Sequence, residues 1–243
     1  MKTNQVLSIS IISVSLIVAV FIFSNAIKNR NESNNVISVT GMAERNFESD
    51  LIVWKSQFTV KNTNLITAYA ELKMQSEATR TFLLSKGIER GEMTFSEAEI
   101  TKEYIYNTFN GNTTSTFDGY RLTQQASISS HDVAKIESVS REITELINSG
   151  LEITSLPPAY YYTKLSDLKI KMLADASQDG LIRAKTIAEN GNGELGQLMN
   201  SSMGVFQIVG QNSTEDYSWG GAFNTSSKNK TATITVKLQY KVK

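Results

Sequence analysis

Residues 165–196 form a long segment in which apolar residues recur with the period of an α-helix. About half of the predicted buried face is small, so we expect this helix to lie very close to a β-sheet. The predicted buried face consists of Ile170, Leu173, Ala174, Ser177, Leu181, Ala184, Ile187 and Ala188. The opposite face is mostly charged, and Gly191 is predicted to end the helix. Such a helix is a scaffold, and no catalytic chemistry follows from it.

The composition excludes several classes of function. The chain has 243 residues with 24 basic and 24 acidic side chains, so no net charge attracts it to nucleic acid or anionic lipid. It contains no cysteine, which excludes disulfide bonds, thiolate nucleophiles and cysteine metal ligands together. We therefore expect no nucleic-acid partner and a globular body of one large or two small domains.

The amino-terminal segment indicates a membrane or export role. Residues 6–23 carry no charge, and about 20 apolar residues in a helix span a bilayer core. This run favours a retained transmembrane helix within residues 1–28, anchored in the inner membrane with the body in the periplasm or outside the cell. The alternative is a signal peptide cleaved near Ala26, followed by secretion. Residues 29–35 are polar and are predicted to form a tether.

The order of strand and helix patterns indicates the fold of the body. We predict strands at 36–41 and 50–61, with a turn at 41–49 between them. From residue 50 to residue 163 the predicted order is strand, helix, strand, strand, helix, strand. This is the ferredoxin-like βαββαβ order, in which two helices cover an antiparallel sheet. The two predicted helices begin after Asn64 and after Asp132, which are suitable capping residues.

The last part of the chain predicts a smaller unit. The helix at 165–196 is followed by two strand patterns, and the strand at 230–243 alternates most regularly between apolar and polar residues. The predicted fold class is therefore α+β, with antiparallel sheets and a transmembrane helix in front. The body at 36–243 is predicted to divide into a first α+β unit at 36–163 and a second, αββ unit at 164–243.

Four stretches of the body follow the pattern of one known protein family. They are VISVTGMAERNFESD at 36–50, LLSKGIERGEMTF at 83–95, FDGYRLTQQASIS at 117–129 and YYYTKLSDLKIKMLADASQDGLIRAKTIAENGNGELG at 160–196. On these stretches the body resembles the SIMPL-domain proteins of bacterial envelopes. The resemblance implies an α+β fold, a periplasmic, secreted or membrane-anchored location, frequent oligomerisation, and links to envelope or oxidative stress. It implies no catalytic residues, because none is established for that family.

Three features that resemble catalytic or binding motifs have simpler explanations. Residues 191–196 match G-x-G-x-x-G, but they follow a helix, whereas a dinucleotide site needs this run before one. His131, the single histidine, precedes a helix cap and is expected to be exposed. Glu97, Glu99 and Glu103 alternate along a strand and are expected on its solvated face. We therefore predict no catalytic residue, no cofactor and no metal site.

Aromatic residues provide the candidates for a contact surface. Successive residues of a strand face opposite sides, so at most two of Tyr160, Tyr161 and Tyr162 share a face. We expect Tyr161 in the core. The long connection at 210–229 is expected to be either disordered or ordered against a partner. The predicted contact surface consists of Tyr160, Tyr162, Tyr217, Trp219 and Phe223.

The predicted function follows from the scaffold, the amino-terminal segment and the resemblance together. We expect a non-enzymatic, extracytoplasmic envelope protein that forms homo-oligomers and contacts the membrane through its amino-terminal segment. The alternative is a module that binds an envelope glycan or peptide through the aromatic residues. The sequence identifies no other envelope partner.

Overall fold

The computed structural model describes residues 14–24 and 35–242. Residues 14–24 form helix α1, whose side chains are all exposed. Among the described residues, no helix is both long enough and apolar enough to cross a membrane. The predicted anchor at 6–23 lies partly outside the described residues, as does nearly all of the predicted tether at 29–35.

The body is an α+β fold built from antiparallel sheets, as the sequence predicts. Its helices are α2 (Leu65–Ser85), α3 (Val133–Glu142) and α4 (Leu165–Asn190), and 3-10 helices lie at Arg90–Glu92 and Ile143–Ser149. Its strands are β1 (Val36–Glu48), β2 (Leu51–Asn62), β3 (Met93–Phe95), β4 (Glu99–Phe109), β5 (Asn112–Ser130), β6 (Ile153–Ser155), β7 (Ala159–Tyr161), β8 (Leu195–Met203), β9 (Gln207–Gly210) and β10 (Asn229–Val242).

The body divides into two compact units. Unit 1 contains the residues up to Glu44, Lys169–Phe206 and the residues from Thr233 onward. Unit 2 contains Arg45–Leu168 and Gln207–Ala232. This division differs from the predicted boundary after residue 163, because β9 and the connection after it group with unit 2 and not with α4.

Unit 2 contains one sheet in which β5 and β2 are the central strands. The order is β3-β5-β2-β6, with β4 also paired to β5 and β7 also paired to β2. The inward face of β2 carries Ile52, Trp54, Ser56, Phe58 and Val60, each of them buried as the alternation predicts. Helices α2 and α3 pack their buried residues into the same core.

The two helices of unit 2 begin where the sequence predicts. The Asn64 side chain accepts hydrogen bonds from the backbone nitrogens of Ile66 and Thr67, at 2.9 and 3.2 Å. The Asp132 side chain accepts one from the backbone nitrogen of Lys135 at 3.1 Å. Both caps satisfy backbone donors that the first helical turn leaves unpaired.

Unit 1 contains the sheet β1-β10-β8 and most of α4. The predicted buried face of α4 is only partly correct: Ala184 and Ala188 are buried, whereas Ile170 and Ile187 are 67% and 52% exposed. The buried residues recur every four positions, at Leu168, Met172, Ala176, Gly180, Ala184 and Ala188. From Ala176 onward this narrow stripe consists of small residues, which lets the helix approach the backbone of β1 closely. A stripe containing isoleucine would hold the helix further away.

Strand β1 is longer than predicted. The expected turn at 41–49 is wrong, because β1 continues through Glu48. Gly41 has no turn function: a Cβ atom added there would lie 2.0 Å from the carbonyl oxygen of Ala176. Glycine is therefore required at this position for close packing between strand and helix.

Candidate functional site

Residues 211–228 of unit 2, between β9 and β10, form what we call the aromatic loop. Gln207 of β9 organises its middle part. The Gln207 amide nitrogen donates to the carbonyl oxygen of Ser218 at 2.7 Å, and the amide oxygen accepts from the backbone nitrogens of Ser218 and Ala222 at 3.2 and 2.8 Å. Gln207 is buried, so these bonds are shielded from water and hold the loop in one conformation.

Lys230 organises the end of the aromatic loop. Its side chain is 1% exposed. The Nζ atom donates to the carbonyl oxygens of Asn224 and Ser227 at 2.7 and 2.5 Å. Burial lowers the pKa of Lys230, and the Glu215 carboxylate opposes this effect. These bonds from the buried ammonium group to backbone carbonyl oxygens hold the end of the loop against the start of β10.

Glu215 links the two ends of the aromatic loop. Its carboxylate accepts a hydrogen bond from the backbone nitrogen of Gly210 at 3.1 Å and another from the Asn224 side chain. The loop was expected to be either disordered or ordered against a partner. It is instead ordered by polar side chains of its own chain, which sequence periodicity does not detect.

The ordered loop exposes its aromatic side chains. Trp219 is 100% exposed, and Tyr217 and Phe223 are 62% and 53% exposed. Phe223 also forms a β-bridge with Ile208 of β9, which fixes its backbone. Full exposure is unusual for tryptophan, because its side chain has a large apolar surface. Tryptophan is also enriched at contact surfaces, so Trp219 is a candidate contact residue.

Tyr160 and Tyr162 already have partners within unit 2. The Tyr160 hydroxyl donates to Glu137 Oε1 at 2.9 Å, and burial together with this bond raises its pKa to about 12. The Tyr162 ring lies 4.9 Å from the Phe47 ring between centroids. The expectation that Tyr161 faces the core is wrong, since β7 pairs Tyr160 with the buried Ile52 and opposite residues of an antiparallel pair share a face.

A second candidate surface lies in unit 1. An open groove of about 470 Å³ is lined by Ser38, Val39, Thr40, Ile182, Arg183, Thr186 and Ile187. Outside this groove, Ile170 on the same helix and Leu198, Met199 and Met203 of β8 are also about half exposed or more. Sequence reasoning missed this surface, because Ile170 and Ile187 were assigned to the buried face of α4.

The features that resemble catalytic motifs have structural roles. His131 Nδ1 lies 2.7 Å from the carbonyl oxygen of Asp50, and the ring is exposed as predicted. The Asp50 carboxylate accepts from the backbone nitrogen and the hydroxyl of Thr163, at 2.7 and 2.8 Å. Burial raises the pKa of Asp50, but the interactions of the carboxylate, first among them the two bonds from Thr163, together hold this pKa below its ordinary value. The carboxylate therefore positions Thr163 and does not orient the imidazole.

The glycine-rich run and the glutamate cluster are explained in the same way. Gly191 and Gly193 donate to backbone carbonyl oxygens of the last turn of α4, so the run ends that helix. Glu103 forms ion pairs with Lys61 and Arg121, whereas Glu97 and Glu99 are exposed. Within residues 14–24 and 35–242, no group of three or more histidine, aspartate or glutamate side chains is arranged to hold a metal ion.

Comparison with protein-family models identifies a family. The family model described as "SIMPL: Protein of unknown function (DUF541)" matches residues 37–242. No curated protein matches the chain. The matched residues include parts of both structural units and all but the first residue of the stretches on which the resemblance rests.

Proposed function

Because the chain belongs to the SIMPL family of proteins of unknown function (DUF541), we propose that it is a non-enzymatic envelope protein that assembles with copies of itself. One observation carries this proposal. Unit 1 exposes large apolar side chains on the outer side of α4 and along β8, including Ile170, Ile182, Met199 and Met203, at 52% to 67% exposure. Apolar surface of this kind, when contiguous, marks a site of association in soluble domains.

The edge position of β8 adds a second argument. Within the described residues, β8 pairs only with β10, so its other edge has unpaired backbone groups. The strand, LGQLMNSSM, contains no charge and no proline, the features that natural edge strands use to prevent pairing. An unprotected edge beside exposed apolar residues is suited to contact with a second protein chain.

Light scattering tests self-assembly. The full chain in a mild detergent is separated by size, and the protein mass of the peak is measured across a hundredfold range of concentration. We expect a defined oligomer, because an isologous contact between identical surfaces closes to a fixed number of subunits. A strict monomer at the highest concentration would contradict the proposal.

We place the protein in the cell envelope, with residues 6–23 as an inner-membrane anchor and the body in the periplasm or outside the cell. Secretion after cleavage of the segment is the alternative. The apolar, exposed side chains of α1 and the known location of family members support this placement. Proteolysis of intact spheroplasts tests it, since only a body outside the cytoplasm is digested without lysis. A link to envelope or oxidative stress is part of the same proposal.

A ferredoxin-like arrangement of unit 2 is also part of this proposal. Its strand order, with β5 and β2 central and with β3 and β4 on one side and β6 and β7 on the other, supports it. In that arrangement one face of the sheet is covered by α2 and α3. The uncovered face and the free edges are then available for contacts.

The aromatic loop supports a second candidate function, binding of an envelope glycan or peptide. Trp219 is fully exposed on an ordered loop, as expected for a stacking platform. The chain has two tryptophans, and the other, Trp54, is 0% exposed. Titration with glycan fragments or peptides should therefore shift the fluorescence of Trp219 alone, and the shift should be absent in Trp219→Leu. An unchanged spectrum with every class of ligand would remove this candidate.

A further inference from the structure

The outer half of the β4–β5 hairpin, from Tyr104 to Phe117, forms an arm that pairs with no other strand of the described residues. Strand β2 pairs with β5 only from Tyr120 onward, and β3 pairs with β5 only at residues 126–128. Within the arm, each residue of β4 pairs only with β5, from Tyr104 opposite Phe117 to Phe109 opposite Asn112. Asn110 and Gly111 close the hairpin with φ angles of 48° and 78°, as a two-residue turn requires.

Both faces of the arm are exposed to solvent. Every described residue from Tyr104 to Phe117 is exposed, and Tyr106 and Phe109 are 68% and 78% exposed. Tyr106 and Phe109 lie on opposite faces, because residues of a strand alternate. A two-stranded ribbon with no covered face is only marginally stable in water. The arm therefore lacks the packing partner that the rest of the β4–β5 pair has.

The charge pattern of the arm is as unusual as its exposure. No residue from Tyr104 to Phe117 is charged, whereas Glu103, Asp118 and Arg121 at its base form ion pairs. Threonine, tyrosine and phenylalanine, which favour strands, occupy most of the arm. Exposed edges normally carry lysine, proline or a bulge that prevents pairing. The bulge here lies at Glu103 and Tyr104, at the base, so the outer edge is unprotected.

We propose that the arm pairs with the arm of a second copy of this chain, edge to edge along β4, and that this contact builds the oligomer. The inference rests on the proposed self-assembly and names one contact in it, in addition to the apolar surface of unit 1. The β4 edge is the better candidate of the two, because no other described strand pairs with its outer edge anywhere along Glu99–Phe109. The β5 edge is free only until β2 begins to pair with it at Tyr120.

The uncharged composition of the arm favours a second copy as the partner. Antiparallel self-pairing centred between Tyr106 and Asn107 places Tyr104 opposite Phe109 of the second copy and Ile105 opposite its Thr108. No like charges meet in this register, since the paired residues are neutral.

Cysteine crosslinking tests the register, because the chain has no cysteine of its own. Full chains carrying Ile105→Cys and full chains carrying Thr108→Cys are mixed in mild detergent and oxidised. Disulfide-linked dimers of one chain of each kind are expected. The matched control replaces Thr108→Cys with Thr113→Cys, the cross-strand neighbour of Thr108 on the other strand of the hairpin. Equal crosslinking with Thr113→Cys, or none with Thr108→Cys, would overturn the proposed pairing.

A charge substitution tests the contribution of the arm to assembly. Tyr106→Lys places a lysine from each copy at the centre of the proposed contact, and lysine on an exposed edge strand opposes pairing. It should weaken association at least tenfold, measured by the concentration at which the oligomer dissociates. Thr113→Lys places the same charge on the other strand and should change this concentration little. If the unsubstituted chain is a monomer, the proposed function itself fails. If it assembles and Tyr106→Lys assembles equally well, self-assembly stands and the arm is excluded as its contact.

Discussion

Gly41 of β1 and Gly180 of α4 meet backbone to backbone: a Cβ atom added to Gly41 would lie 2.5 Å from the nitrogen of Gly180. The same atom would lie 2.0 Å from the carbonyl oxygen of Ala176, so no side chain fits between this strand and this helix. Asp179, on the same helix, accepts a hydrogen bond from the backbone nitrogen of Met42 at 2.9 Å. Close packing and this bond together fix α4 on β1 within unit 1.

We expect Gly41→Ala to destabilise the protein by about 3 kcal/mol or more, because rigid backbone atoms cannot move away from the new methyl group. Gly180→Ala should cost less. Its methyl group would meet mainly Leu238 Cδ1, at 2.6 Å, which is the end of a flexible side chain. Alanine also favours the helix by about 1 kcal/mol over glycine. Urea unfolding of the unsubstituted protein, Gly41→Ala and Gly180→Ala, followed by far-ultraviolet circular dichroism, measures the order of their free energies of unfolding.

Gly91→Ala is the matched control for this series. No atom lies within 4 Å of a Cβ added at Gly91, so the substitution should change the free energy of unfolding by no more than about 0.5 kcal/mol. Equal stability of Gly41→Ala and Gly91→Ala would show that α4 does not rest on β1 in solution.

This contact explains which part of the fold was predictable from the sequence. The starts of α2 and α3 were predicted correctly, because Asn64 and Asp132 cap them through bonds to residues two or three positions away. The buried face of α4 was not predicted correctly. The buried face is determined by close contact with Gly41, which lies far away in the sequence. Periodicity alone cannot distinguish the stripe of alanine and glycine that makes this contact from a neighbouring stripe that contains isoleucine.

The candidate sites show the same limit. The exposed aromatic residues of the loop were predictable, because Tyr217, Trp219 and Phe223 stand among polar residues. The order of the loop was not predictable, since it depends on Gln207 and Lys230 in the flanking strands. Exposure of the hairpin arm was also missed. Strand patterns indicate pairing, but they do not reveal how far a neighbouring strand extends.

Ser56 and Thr79 are 0% exposed in the core of unit 2, and neither hydroxyl has a hydrogen-bond partner among the described residues. We expect Thr79→Val to stabilise the protein by about 1 kcal/mol, because it removes an unsatisfied polar group at nearly constant volume. Thr81→Val, on the exposed side of the same helix, is the control and should change stability by less than about 0.5 kcal/mol. A lower denaturation midpoint for Thr79→Val than for Thr81→Val would contradict this prediction.

Lys230→Met should loosen the aromatic loop without unfolding the sheets. Methionine retains the apolar stem but leaves the carbonyl oxygens of Asn224 and Ser227 without their donor, at a cost of about 2 kcal/mol. Hydrogen exchange should therefore become faster in residues 211–228 and remain unchanged in β2 and β5. Lys237→Met, at an exposed position of the same strand, should leave the exchange of the loop unaltered. Equal exchange in both variants would show that Lys230 does not hold the loop.

Glu103 at the base of the hairpin arm is expected to titrate below its ordinary pKa of 4.5, because hydrogen bonds from Arg121 and then Lys61 stabilise its carboxylate. A depressed pKa in the folded state means that the contribution of this group to stability is fully present above the ordinary value. That contribution is lost as the pH falls through the lower folded value.

NMR titration of the side-chain carboxyl carbon of Glu103 measures the midpoint of its protonation. Arg121→Gln should raise it toward 4.5, whereas Lys55→Met, an exposed lysine of the same strand as Lys61, should leave it unchanged. A midpoint at or above 4.5 in the unsubstituted protein would show that the ion pairs at the base of the arm do not form in solution.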